Sequence, residues 1–293
     1  VDIGTNSVRL LITDGAGKEL CREMQITRLG QGVDVDGALA SDAMARTVSV
    51  LEAYGARIRE HEATRVRATA TSAARDARNR EAFFDAAEKA LGARPELLPG
   101  EEEARLSFAG ATFGLDPREG PFLIVDIGGG STELVVGTTE PEALISLDMG
   151  CVRMTERHLV SDRPTAAEIE GCFADIRRLL ARARDTLPTS KAKKMIGLAG
   201  TVTSLGAMAL GLRHYDASRT HGMTLTRDRV QTLFEELASV DLETRRTLLA
   251  EPKRADVIVG GAAVLLTLLR ELDIRELTVS ETDILDGLAA SLR

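Results

Sequence analysis

Two stretches of this chain, 124 residues apart, repeat one another: Asp2-Ile3-Gly4 recurs as Asp126-Ile127-Gly128, and at the same offset Ser131 falls on Ser7 and Leu134 on Leu10. In both, apolar and β-branched residues flank a turn of small residues, Gly4-Thr5-Asn6-Ser7 in one and Gly128-Gly129-Gly130-Ser131 in the other. That pattern reads as a β-hairpin. A hairpin that recurs in register implies two related half-molecules, each opening with a turn that faces a shared cleft.

Length supports the same division. A chain of 293 residues exceeds the usual size of a single core, so two domains are expected. The stretch Gly114-Leu-Asp-Pro-Arg-Glu-Gly-Pro121 has linker composition, which sets the expected domains at 1–116 and 117–293. Apolar spacing predicts helices over 41–61, 80–91, 101–110, 166–187, 227–237 and 255–272, with strands over 65–70 and 277–280. Met195 to Thr201 reads as strand, turn and helix start. A terminal helix over 284–292 closes the chain, and packing back against the first domain is one place for it.

Composition narrows the function. The net charge of −8 argues against generic nucleic-acid binding, which needs a basic surface. No apolar run reaches the roughly 18 residues of a membrane span. Cys21, Cys151 and Cys172 lack C-x-x-C spacing, so reduced thiols in a cytoplasmic protein are expected. The chain opens at Val1, inside a strand pattern and without Met. An anionic ligand would have to be held locally, by arginines, backbone amides and metal ions.

The glycine loop at 128–130 runs into the strand Thr132-Glu-Leu-Val-Val136, whereas a nucleotide-binding P-loop or dinucleotide fold runs into a helix. Three glycines without Cβ atoms let backbone amides close on a phosphate. Asp126, at the mouth of the turn, can hold magnesium directly or through water, and Asp2 occupies the mirror position. Asn6 and Ser131 can add hydrogen bonds from the turns.

Six motifs then point to a family. Asp2-Ile-Gly-Thr-Asn-Ser-Val-Arg-Leu-Leu11, Ala68-Thr-Ala-Thr-Ser-Ala-Ala-Arg-Asp-Ala-Arg-Asn79, Gly100-Glu-Glu-Glu-Ala-Arg-Leu106, Asp126-Ile-Gly-Gly-Gly-Ser-Thr-Glu133, Gly197-Leu-Ala-Gly-Thr201 and Arg254-Ala-Asp-Val-Ile258 occur in this order. Together they resemble the exopolyphosphatase and guanosine pentaphosphate phosphohydrolase (Ppx/GppA) group of the actin, sugar kinase and Hsp70 superfamily, in its short form. The resemblance covers nearly the whole chain. It implies an α/β, actin-like (ribonuclease H-like) duplicated fold, a requirement for Mg2+ and hydrolytic release of terminal phosphate.

By position, the resemblance makes Glu103 the catalytic glutamate. In the first turn of a helix its ionised form would be favoured by the helix dipole, so a deprotonated base is expected. Glu133 would align water or metal. Arg9, its counterpart in the repeat, and Arg75 are expected to grip phosphate oxygens, alongside Gly4, Thr5, Asn6, Ser7, Gly128, Gly129, Gly130 and Ser131, with Gly200 and Thr201 from a third turn. Lys191, Lys193 and Lys194 could line a path for a polyanion, although a solvated loop is the commoner use of such a run. His221 reads as a core or loop histidine.

Inorganic polyphosphate is the expected substrate, and guanosine pentaphosphate or tetraphosphate the alternative ligand. Aromatic residues for stacking a base are scarce, at 3% of the chain. A noncatalytic nucleotide- or alarmone-sensing module and a sugar or acetate kinase are the competing classes, and a homodimer is left open.

Overall fold

The computed structural model describes residues 1–184 and 186–292. The first sheet contains β1 (Asp2–Ile3), β2 (Ser7–Thr13), β3 (Glu19–Ile26), β4 (Thr69–Ala70) and β5 (Glu96–Leu97). Its strands lie in the order β3-β2-β1-β4-β5. The second sheet contains β6 (Phe122–Ile127), β7 (Thr132–Gly137), β8 (Pro141–Leu147), β9 (Lys194–Leu198), β10 (Thr224–Thr226) and β11 (Glu276–Val279), in the order β10-β11-β9-β6-β7-β8. Read from β8 inward, this is the first order again, with β10 added at the far edge. The α/β fold is therefore a duplicated, actin-like one.

Helices α1 (Val33–Asp36), α2 (Ser41–Glu60), α3 (Ser72–Asp76) and α4 (Arg80–Leu91) belong with the first sheet, and α5 (Gly100–Thr112) follows them. Then come α6 (Cys151–His158), α7 (Ala166–Arg184), α8 (Ala199–Ala209), α9 (Ala217–Thr220), α10 (Arg227–Ala238), α11 (Leu242–Leu248), α12 (Ile258–Glu271) and α13 (Ile284–Ala290). Helix α2 buries Ala43, Thr47, Leu51, Tyr54 and Ile58 at near-four-residue spacing, one stripe laid on the core of the first sheet. Helices α7, α8, α10 and α12 bury one face of the second sheet, where Leu123, Val125 and Ile127 of β6 point.

Alternation along the strands decides what meets the opposite face. Phe122 and Ile124 of β6 and Val135 of β7 pack on Ala104, Phe108 and Ala111 of α5. Asp126 and Glu133 share their parity and face α5 as well. The terminal helix α13 lies between α5 and β2, with Leu98, Leu106, Ile284 and Leu288 forming a small cluster. Each half thus lends its last helix to the junction.

Several elements differ from the sequence reading. Only Thr69–Ala70 of the expected strand over 65–70 is a strand, and the helix expected from 255 begins at Ile258, after a 3-10 turn at Pro252–Arg254. The helix expected over 166–187 runs to Arg184, and Asp185 lies outside the described residues. Strand β3 escaped prediction because charged Glu19, Arg22 and Glu23 interrupt its alternation on a partly exposed strand. Helix α6 is too short for a periodic signal. All three cysteines are free thiols. Among the described residues no helix is long and apolar enough to cross a membrane.

Candidate active site

The two repeated turns close in the same way: Gly4 N–H donates to the Ser7 carbonyl and Gly128 N–H to the Ser131 carbonyl, each at 3.0 Å. They also touch each other. A Cβ on Gly129 would lie 2.8 Å from Thr5 Cβ, and one on Gly130 would lie 2.4 Å from Ser72 Oγ, so glycine at both positions permits loop-to-loop contact. Behind the second loop, the amide of Cys151 donates to the Gly128 carbonyl at 2.9 Å and Arg153 Nε to the Gly130 carbonyl at 2.7 Å.

Between the loops lies a cavity of about 70 Å3. It is lined by Asp2, Gly4, Thr5, Asn6, Ser7 and Arg9 from the first turn, by Asp126 and Gly128 to Ser131 from the second, by Gly200 and Thr201 from the third, and by Glu103. Residues distant in sequence are thereby collected at one place. Arg75 and Glu133 stand one layer back, bonded to residues that line it.

Register explains the contrast between the hairpins. Asp2 is the cross-strand neighbour of Arg9, and Asp126 that of Glu133. In the first pair Arg9 Nη2 meets Asp2 Oδ2 at 2.7 Å, and Arg9 Nη1 pairs with Asp283. Burial works against the Arg9 charge, but Asp283 and Asp2 more than offset it and hold the guanidinium ionised. The second pair sets two carboxylates side by side. Neutral hydroxyls serve them: Ser107 Oγ donates to Asp126 at 2.6 Å and Ser146 Oγ to Glu133 at 2.7 Å.

The consequence is a set of acids that give up their protons at higher pH than ordinary carboxyls. Burial pushes Asp126 up to about 6, with Ser107 opposing and Asp283 adding to the rise. Burial, then the charges of Glu103 and Asp126, raise Glu133 well above the ordinary carboxylate range.

Glu103 corrects an expectation. It does sit in the first turn of α5, where the helix dipole favours ionisation. Burial nevertheless outweighs that and the pull of Arg75, and lifts it to about 7. Its carboxylate receives Arg75 Nη1 at 2.6 Å; the same nitrogen donates to the Leu98 carbonyl at 2.9 Å, and Nη2 to Ser131 Oγ at 3.3 Å. Arg9 and Arg75, read as phosphate grips, are thus engaged with carboxylates.

Other residues went unread. Arg254 lines the cavity and packs its guanidinium against Gly200, where a Cβ would lie 2.0 Å from Nη1. Its signal was present in the Arg254–Ile258 motif, but nothing in sequence shows which way it points. Ser72, Cys151 and Ala199 also line the cavity, and Ala199 adopts φ 64° at the turn from β9 into α8, a strained conformation for a residue with a Cβ. Lys193 and Lys194 lie elsewhere, in a groove with Glu119 and Arg275, and Lys194 pairs with Glu119 at 3.1 Å. His221 Nδ1 accepts from the Glu281 amide at 3.1 Å, as a loop histidine.

A model of the Ppx/GppA phosphatase family matches residues 11–292. The chain belongs to that family. Among curated relatives, Exopolyphosphatase 2 of Mycobacterium tuberculosis is 45% identical over 100% of this chain and 97% of its own length. A guanosine-5'-triphosphate,3'-diphosphate pyrophosphatase of Vibrio atlanticus is 29% identical over 99% of this chain, which spans 58% of that longer protein. Among solved structures, an exopolyphosphatase-like protein superposes with a TM-score of 0.96 at 38% identity, covering 99% of this chain and 97% of that one. The Ppx/GppA family member of Aquifex aeolicus superposes with a TM-score of 0.80 at 33% identity, covering 99% and 95%.

Proposed function

We propose that this Ppx/GppA family member is a metal-dependent exopolyphosphatase, which hydrolyses the terminal phosphoanhydride of inorganic polyphosphate. One observation carries the reading: Glu103, Asp126 and the glycine loops line one cavity, with Glu133 directly behind, so that proton-accepting carboxylates and anion-binding backbone amides converge. The strong likeness to an exopolyphosphatase favours polyphosphate over a guanosine substrate.

The donor set fits magnesium. Asp2 Oδ1 is buried without a hydrogen-bond partner, as are both polar atoms of the Asn6 amide. Among the described residues no group of three or more His, Cys, Asp or Glu side chains forms a metal cage. Magnesium asks for less than a cage, taking one or two carboxylates and filling its remaining positions with water and substrate phosphate. Asp2 and Asp126 are the residues that would hold it. Neutralising charge on the phosphate oxygens is the chemistry such a cation supplies when bound.

The protein's own groups account for the rest. With its pKa near 7, Glu103 is matched to neutral pH as a proton acceptor. Arg75 holds one of its oxygens and fixes its orientation. Water then forms a bond to the terminal phosphorus as the bridging P–O bond breaks. Its proton passes to Glu103, and the shortened chain leaves with the bridging oxygen. Glu133, one layer back and held by Ser146, helps set the water's position through the lining residues beside it, Asp126 and Ser131. Positioning and electrostatics supply most of the rate in phosphoryl transfer, which suits a site rich in both.

A second reading is removal of the 5'-phosphate from guanosine pentaphosphate, supported by the Vibrio atlanticus relative. A noncatalytic sensor would have no use for the full set of carboxylates. Phosphate release from long-chain polyphosphate and from guanosine pentaphosphate, measured in parallel with and without magnesium, separates the readings. Metal-dependent release from polyphosphate that Glu103→Gln abolishes supports the first; faster release from the nucleotide supports the second; release from neither by a folded protein supports the sensor.

A further inference from the structure

Helices α5 and α13 cover equivalent polar faces, α5 over Asp126 and Glu133 and α13 over Asp2 and Arg9. They cross at glycines: a Cβ on Gly110 would fall 1.8 Å from the Asp283 carbonyl oxygen, and one on Gly287 would fall 2.1 Å from that of Leu106. This pins Asp283, the residue before α13, against the helix that carries Glu103. Asp283 therefore stands to the first hairpin as Glu103 stands to the second.

Its two oxygens have different tasks. Oδ1 caps α13, accepting from the Leu285 amide at 2.9 Å, a task asparagine or serine performs equally well. Oδ2 accepts from Arg9 Nη1. The rest of that guanidinium, Nε at 3.1 Å and Nη2 at 2.7 Å, falls on a single oxygen of Asp2, Oδ2, and leaves Oδ1 buried and unpartnered at the cavity. A guanidinium facing one carboxylate alone tends to engage both of its oxygens. Two carboxylates against one guanidinium also leave this corner with a net negative charge.

We propose that Asp283 is a positioning residue for cation binding: by drawing Arg9 to one side it keeps Asp2 Oδ1 available and leaves the charge uncompensated. This rests on the metal-dependent phosphatase reading above. The cap alone would not call for a carboxylate.

The test titrates manganese(II) into the full chain without substrate, following the free ion by electron paramagnetic resonance. Asp283→Asn keeps a capping oxygen and loses the charge. Asp286→Ala removes the capping-box partner and the ion pair with Arg22 without touching Arg9. Asp283→Asn is expected to bind the ion about tenfold more weakly or worse, the usual loss when a residue behind a metal ligand is changed. Asp283→Ser, capping through its hydroxyl, is expected to show the same weakening, and Asp286→Ala wild-type affinity. Half-saturation of phosphate release by magnesium moves in parallel. Wild-type affinity in Asp283→Asn overturns the proposal while leaving the phosphatase reading intact if release remains magnesium-dependent. Equal weakening in Asp286→Ala overturns it too, because the helix rather than the charge would then be responsible. A wild type that neither binds the ion nor releases phosphate overturns both.

Discussion

The two hairpins share a turn, a register and an Asp-Ile-Gly start, yet they answer a buried aspartate in opposite ways. The first sets Arg9 beside Asp2 and gives its aspartate a guanidinium partner, which Asp283 shares. The second sets Glu133 beside Asp126 and serves the two with hydroxyls, those of Ser107 and Ser146 among them. One side chain, changed at one position of a duplicated frame, separates an ion-paired aspartate from a pair of neighbouring acids whose pKa values are raised. The duplication repeats the geometry, and the difference between residues 9 and 133 changes the charge that it carries.

The sharpest way to break that comparison is Glu133→Gln. Loss of a group acting in proton transfer or water alignment costs about 10²–10⁴-fold in rate, so phosphate release is expected to fall by that order. The metal-free protein is expected to gain thermal stability, because an acid whose charged form is disfavoured by burial has been replaced by its neutral analogue. Full activity in this variant would deprive the second hairpin of its assigned role. On the other side, Arg9→Gln leaves Asp2 and Asp283 buried without their counter-charge. Breaking a buried pair in this way costs about 3–5 kcal/mol, to be read from urea denaturation. An unchanged midpoint would show that Arg9 does not hold the aspartates of the first hairpin in place.

A pH series sharpens the contrast. Asp126 and Glu103 titrate near 6 and 7 in the folded chain, above the value of about 4 for unfolded carboxyls. Protons therefore bind more tightly to the folded form. The stability they confer is fully present below about pH 4 and is lost as pH rises through 6 and 7. Melting temperatures of metal-free protein across this range are expected to decline, and to decline less in Glu133→Gln; a flat wild-type profile would contradict the proposed acid cluster. The smallest effect belongs to Ser107→Ala, which removes one hydroxyl from Asp126 and costs about 0.5–1.5 kcal/mol. No residue of the first hairpin offers the same comparison, because there Arg9 does the corresponding work.

Much of this was legible before any coordinates. The offset of 124 residues already paired Asp2 with Asp126 and Arg9 with Glu133, because a repeat preserves register and register decides which side chains share a face. The glycine turns were legible for the same reason. Glu103 was found through resemblance, since the repeat has no position for it. Its raised pKa was not legible, because a helix start is visible in sequence whereas the sheet face that buries it is not. Arg75 and Arg254 show the matching gap. A sequence tells that a guanidinium exists near a motif, but partners such as Glu103 and Gly200 are contributed by segments far along the chain.

The meeting of the two turns carries a further consequence, for how far the chain can vary there. Gly129 lies against Thr5 and Gly130 against Ser72 so closely that an added Cβ would sit 2.8 Å and 2.4 Å from them. A side chain at either position would have to push the turns apart, and with them the carboxylates that line the cavity. Two residues without side chains therefore set how closely the repeated turns approach, before any catalytic group is involved.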